Sequence, residues 1–195
     1  VSMISYLRSV HFTRTPSAVE PVTVEEARRQ LRIDHTDDDD DLALMISEAR
    51  LDCETRLGDV SLVTAACIDY FDWFADPMEL HWSPVSAITS ITYVDANGAT
   101  QTLAGTYYEL GTKLGRGLVR RKYGQNWPTT RDYPDVVAVT YSAGFGAAAS
   151  SVPKNIKRWI LARVAWLYAN RDGEEYPWGG FDSILSPHRI VRVLS

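Results

Sequence analysis

Residues 136–171 read VVAVTYSAGFGAAASSVPKNIKRWILARVAWLYANR, and the fold class turns on this stretch because two periodicities meet in it. Its first part, 136–141, is β-branched and aromatic, which predicts a strand. The pattern breaks at Ser142-Ala143-Gly144-Phe145-Gly146. After a run of small residues, Val152-Pro153 opens a helix, with proline near a first turn whose amides have no intrahelical partner. Ile156, Trp159, Ile160, Val164, Leu167 and Tyr168 recur at helical spacing and predict one buried stripe. Lys154, Lys157 and Arg158 lie towards its start, Asn170-Arg171 at its end and Gly173 just beyond. A chain that leaves a β region for such a helix reads as α+β.

Upstream, from about 62 to 141, strand-like segments and frequent turn signals predict a small antiparallel β module, a sheet or open barrel. Its segments are 64–74, 88–94, 100–103, 107–110, 117–120 and 136–141, with Asp95-Ala96-Asn97-Gly98 turning the second into the third and Trp127-Pro128 in a loop. Before it the period is helical. Thr23 and Glu26 predict a capping box at the start of a helix of about three turns, with Val24, Ala27 and Leu31 on one stripe and an end near Ile33 and Asp34. Leu42, Met45, Ile46, Ala49, Cys53 and Leu57 mark the buried face of a longer helix stopped by Gly58. One more helical turn is expected around 181–185. The expected organisation is a helical core of three to four helices with an inserted β module and an extended tail: flexible leader 1–20, helical part 21–60, β module 61–142, helical part 143–186 and tail 187–195.

The 195 residues are 45% hydrophobic and 23% charged, enough to bury a core. Twenty-five acidic residues against twenty basic give a net charge of -5, too acidic for a protein that gains affinity by wrapping phosphate with cations, so tight DNA binding is not expected. No apolar run approaches the roughly 20 residues that span a bilayer. The opening VSMISYLRSVHFTRTP lacks a continuous apolar segment and a small-residue cleavage site, so a soluble, non-exported chain without a membrane partner is expected. Cys53 and Cys67 are expected to be buried thiols in a reducing compartment.

Searching for chemistry yields little. Asp37, Asp38, Asp39, Asp40 and Asp41 are consecutive, so on a helix they point in different directions and cannot converge on one cation; caps and dipole partners of a helix start explain them better. Ser142 has Thr140 where a nucleophile elbow needs glycine. Gly111, Gly115 and Gly117 match no phosphate or dinucleotide loop and read as turn residues. His11, His35, His81 and His188 lie in four separate segments without zinc-ligand spacing. Asp69 and Asp72 are a weak match to a carboxylate-dependent hydrolase, the plainer account being solvent-facing side chains of a strand. No catalytic residue, cofactor or metal is therefore assigned. A carbohydrate-binding tail or baseplate module, using Trp73, Trp82, Trp127 and Trp178, is the main alternative.

In order along the chain, Pro21-Val22-Thr23-Val24-Glu25-Glu26-Ala27, Leu31-Arg32-Ile33-Asp34 with its acidic run, Trp127-Pro128, Val139 to Gly146 (VTYSAGFG), Val152-Pro153, Tyr168-Ala169-Asn170-Arg171 and Ser186-Pro187-His188-Arg189 together resemble the head-to-tail connector, or adaptor, family of long-tailed phages and gene transfer agents. The resemblance runs from about Glu20 to the end. Two features depart from it: a long β region, and His188 where an aromatic such as tyrosine is common. It implies a non-enzymatic ring subunit, commonly one of twelve copies, beneath the portal protein of the virion and above a stopper or tail terminator, with DNA passing through the channel. Assembly would take place in the host cytoplasm. It also implies that the tail, Pro187, His188, Arg189, Ile190, Val191, Arg192, Val193 and Leu194, docks on the portal, and that the run of aspartates at 37–41 faces the channel or a ring edge.

Overall fold

In the computed structural model, which describes residues 7–9, 11–171 and 180–190, helix and strand segregate into two units and the fold is α+β. The helical unit holds 17–63 and 145–190, and the β unit holds the remainder, including 64–144 and the described residues before 17.

The helical unit is built from α1 (Val24–Leu31), α2 (Asp39–Arg56), α3 (Lys154–Ala169), and two 3-10 segments, Ala149–Ser151 and Gly180–His188. Thr23 and Glu26 form the expected capping box: Thr23 Oγ1 accepts the Glu26 amide at 3.1 Å and Glu26 Oε2 accepts the Thr23 amide at 2.9 Å. The helix ends sooner than the sequence pattern suggests, because Arg32 takes a left-handed conformation (φ 60°) and turns the chain. On α2, Leu42, Ile46, Ala49 and Cys53 are buried, and Glu54 joins them despite its charge. Gly58, at φ 87°, redirects the chain beyond the helix. On α3 the stripe of Ile156, Trp159, Ile160 and Val164 is buried, with Arg163 among it. These faces meet in one core with Val22, Val60, Leu62, Val63 and Leu185.

The β unit has two sheets. Strands β2 (His11–Thr15), β3 (Ala65–Phe71), β9 (Val137–Ala143), β5 (Val85–Val94) and β6 (Thr100–Thr102) pair antiparallel in that order. The other sheet orders β1 (Leu7–Arg8), β4 (Met78–Glu79), β8 (Arg116–Arg121) and β7 (Tyr108–Lys113), and its β1–β4 pair is parallel. Met78, Leu80 and Val119 share a core with Cys67, Phe71, Ile91, Val139 and Tyr141, so the two sheets bury one another's inner faces.

Three expectations change. Residues 11–15, read as part of a flexible leader, form the edge strand β2, whose polar, mostly exposed HFTRT carries little hydrophobic signal and is held by pairing with β3. Of three glycines read as turn residues only Gly115 lies in a turn; Gly111 and Gly117 are inside β7 and β8, and a Cβ on Gly117 would collide with Val85. Asp69 does not face solvent: β3 alternates inward at Ala65, Cys67, Asp69 and Phe71, and Asp69 is fully buried.

Candidate functional site

The acidic run divides by direction, as helical geometry requires. Asp38 Oδ2 accepts the Tyr168 hydroxyl at 2.6 Å, Asp38 and Asp41 lie 3.8 and 3.9 Å from the Arg171 guanidinium, and Asp39 lies 3.3 Å from Arg28 Nε. Asp37 and Asp40 face solvent. The cap role expected of these acids is not what they do: Asp38 is the N-cap and makes no side-chain cap bond, because its carboxylate is spent on α3. The run instead ties the start of α2 to α1 and to the end of α3. The Asp38 carboxylate holds the Tyr168 phenol above its usual range.

Further ion pairs brace the same unit, and the sequence pattern did not mark them because most join residues remote in the chain. Arg163 lies 3.0 Å from Asp52 and 3.3 Å from Glu48, and Lys157 lies 3.0 Å from Glu26. Asp182 accepts from Trp159 Nε1 at 3.0 Å and from Arg56 at 2.7 Å, holding the 3-10 segment against two helices. Buried Glu54 accepts the Leu62 amide at 3.1 Å and meets Arg50, which also reaches Glu20 at 2.8 Å.

The first half of the expected docking tail is built into this unit. The Ile190 amide donates to the Leu57 carbonyl at 2.8 Å, Arg189 Nε donates to the Arg56 carbonyl at 3.1 Å, and His188 meets Asn155 at 3.2 Å and the edge of Phe145. Pro187 lies in the 3-10 segment. A Cβ on Gly58 would strike the Ile190 carbonyl, so that glycine serves both the helix end and the closing segment. Val191, Arg192, Val193 and Leu194 lie outside the described residues.

In the β unit Asp69 accepts the His81 amide at 2.6 Å and the Tyr141 hydroxyl at 3.0 Å, and that hydroxyl accepts the Trp82 amide at 3.0 Å. Burial pushes the Asp69 carboxyl up to about 6, against the hydrogen bonds from His81, Tyr141 and Ser9. Asp72 lies beyond the end of β3 and accepts the Asp135 amide at 2.9 Å. Each carboxylate is thus engaged in its own structural bonds. The tryptophans are also dispersed in role: Trp82 lies under Arg14, Trp127 stacks on Phe74, and Trp73 is exposed, while Trp178 lies outside the described residues. Cys53 and Cys67 are buried free thiols, the Cys53 thiol pushed up chiefly by burial. Among the described residues no group of three or more His, Cys, Asp or Glu is placed to hold a metal ion, and no helix is long and apolar enough to cross a membrane.

What remains for recognition is surface. An open groove of about 530 Å³ between α2 and α3 is lined by Asp41, Leu44, Met45, Glu48, Trp166 and Leu167 among others, and Leu44 is 72% exposed. On the β unit, Leu114 at the β7–β8 turn and Trp73, Tyr123 and Tyr133 in loops present large apolar or aromatic groups to solvent.

No protein-family model and no curated protein matches the chain. Solved structures do. A chain of the virion of a native gene transfer agent particle is 24% identical over 95% of this chain and 98% of its own length, with a TM-score of 0.78. Chains in the neck of the empty particle, computed with C6 symmetry, and of the native particle, computed with C12 symmetry, match at the same identity and coverage, with TM-scores of 0.78 and 0.75. Over nearly its whole length, both units included, this chain has the fold of those particle-neck chains.

Proposed function

We propose that this chain is a structural head-to-tail connector subunit of a tailed phage or gene transfer agent particle. It forms a homo-oligomeric ring of about twelve copies beneath the portal and extends the DNA channel towards a stopper or tail terminator. The observation that carries the reading is the fold likeness to neck chains over 95% of this chain and 98% of theirs, since it extends to both units together. Neck structures computed with C6 and C12 symmetry support a homo-oligomeric ring, and the C12 symmetry is compatible with twelve copies. The protein acts in the virion, at the head-tail joint, after assembly in the host cytoplasm, and serves packaging and ejection by shape and not by catalysis.

Charge supports the same reading. The β unit has eight acidic and nine basic residues, whereas the helical unit has seventeen and eleven, so the excess acid belongs to the helices. A ring around sliding DNA gains nothing from neutralising phosphates, because each such contact adds a salt-dependent grip. The docking segment on this reading is Val191, Arg192, Val193 and Leu194, carried by Pro187, His188, Arg189 and Ile190, whose backbone and side chains are anchored on the helical unit.

The test is co-sedimentation with purified portal rings, comparing the full chain with one ending at Ile190. The expected result is binding by the first and loss of binding by the second. Equal binding removes the tail-docking role, and failure of the full chain to bind, with its absence from the portal vertex of purified particles, removes the connector reading.

A further inference from the structure

The two residues that turn β7 into β8, Leu114 and Gly115, both have positive φ, 51° and 83°. This is the left-handed pair that a two-residue hairpin with the native strand twist requires, and asparagine or aspartate ordinarily takes the first place. Leucine there carries a backbone cost of about 1 kcal/mol. Its side chain is also 65% exposed. A strained backbone that displays an apolar side chain to water gains nothing within its own chain, so the compensation comes from a partner. The flanks are basic. Lys113, Arg116, Arg120, Arg121 and Lys122 outnumber Glu109, Glu79 and Asp76, the last two being ion-pair partners of Arg116 and Arg121.

The helical unit presents the complement. The α2–α3 groove offers Leu44, Met45, Trp166 and Leu167 to an apolar knob. The five aspartates at 37–41, together with Glu48 and Asp52, set seven carboxylates against Arg28, Arg163 and Arg171, four negative charges in excess.

Resting on the ring reading above, the geometry points to a head-to-tail contact between copies of this chain, in which the Leu114 hairpin tip of one copy enters the α2–α3 groove of the next and its basic flanks meet the acidic rim. Knob and slot are different surfaces, so the contact is heterologous, leaves one knob and one slot unfilled at the ends of any open chain, and is completed by closing a ring. It assigns the Asp37–Asp41 side of α2 to the ring edge. DNA is the weaker occupant for the hairpin, because phosphate would engage only the basic flanks and leave Leu114 in water.

The experiment uses the full chain carrying Leu44→Cys and Leu114→Cys, both at exposed positions, treated at high protein concentration with a short bismaleimide; native Cys53 and Cys67 are buried. The double variant is expected to give a ladder of covalent oligomers, each single variant to stop at a dimer at most, and a mixture of the two single variants to give the mixed dimer. Adding Lys113→Glu and Arg120→Glu should lower ladder yield about tenfold at low salt, by setting like charges against the rim, and adding Asp37→Lys and Asp40→Lys to that variant should recover it. Oligomers in sedimentation velocity without the 44–114 linkage would overturn this interface and leave the ring standing. Neither oligomer nor linkage at any concentration overturns both. Loss of DNA retention in the Lys113→Glu, Arg120→Glu variant with no 44–114 linkage would give the hairpin to nucleic acid instead.

Discussion

Asp69 makes the stability of the protein depend on pH in an uncommon direction. Its carboxylate is buried in the inward column of β3, and burial pushes the carboxyl up from 3.8 to about 6, although the His81 amide and the Tyr141 and Ser9 hydroxyls favour the charged form. A raised carboxyl pKa means that the folded state holds the proton more tightly than the unfolded chain. Between about pH 4 and pH 6 the folded protein therefore binds more protons, and this group's contribution to stability falls as pH rises. A shift of about two units at about 1.4 kcal/mol each gives a loss of about 3 kcal/mol, complete near pH 7. Asp69→Asn is uncharged throughout and lacks that slope. Urea unfolding of both proteins at pH 4, 5, 6 and 7, followed by tryptophan fluorescence, isolates the group, because the exposed carboxylates are common to both and cancel. The stability of wild type minus that of Asp69→Asn is expected to fall by about 2.4 kcal/mol from pH 4 to pH 7, the rest of the loss lying below pH 4. A difference that stays flat within about 0.5 kcal/mol would refute the assignment of burial as the dominant effect.

Glu54→Ala strips the Leu62 amide of its acceptor and Arg50 of a buried partner, and is expected to lower stability by about 3 kcal/mol in chemical denaturation. Gly58→Ala sets a methyl group against the Ile190 carbonyl at a left-handed position; a loss of about 2 kcal/mol is expected, with faster hydrogen exchange at the Ile190 amide, which is bonded to Leu57. Asp37→Lys with Asp40→Lys changes two solvent-facing side chains and should leave stability within about 0.5 kcal/mol. Particles carrying it together with the compensating Lys113→Glu and Arg120→Glu should retain and eject DNA normally, and altered retention there would return the acidic run to the channel lumen.

Much of the fold is legible where one face of an element is buried and the other is not. Ile156, Trp159, Ile160 and Val164 predicted the core face of α3, and Leu42, Ile46, Ala49 and Cys53 that of α2, because a period of 3.6 leaves an unambiguous stripe. Thr23 and Glu26 predicted a helix start because the capping box is local chemistry. What escaped the pattern depends on partners distant in the chain. Strand β2 is polar and held by an edge, the two-residue strands β1 and β4 are too short to show a period, and Asp69 reads as an outward acid until the inward register of β3 is known. The candidate site was less legible still. An exposed leucine at a left-handed position has no signature in a sequence, since its φ is a property of the closed hairpin.

The discontinuous helical unit raises a question of cohesion that the β unit itself answers. α2 and α3 share one core, yet 81 residues, 64–144, separate the two halves of their unit. As a flexible loop, that segment would cost about 4 kcal/mol more to close than a link of one residue, from (3/2)RT ln n, comparable with the loss of one large core side chain such as Trp159. The β unit removes most of that cost, because the first and last strands of segment 64–144 are neighbours: β3 and β9 pair along their whole length, from Ala65 opposite Ala143 to Phe71 opposite Val137. The points where the chain enters and leaves are therefore held side by side, and the helical unit experiences a folded insert as a short link. Coupling runs both ways by this mechanism. Unfolding the β unit returns up to about 4 kcal/mol of closure cost to the helices, and unfolding the helical segment 17–63 returns about 3 kcal/mol to the β unit, whose edge strand β2 must then find β3 across a flexible link.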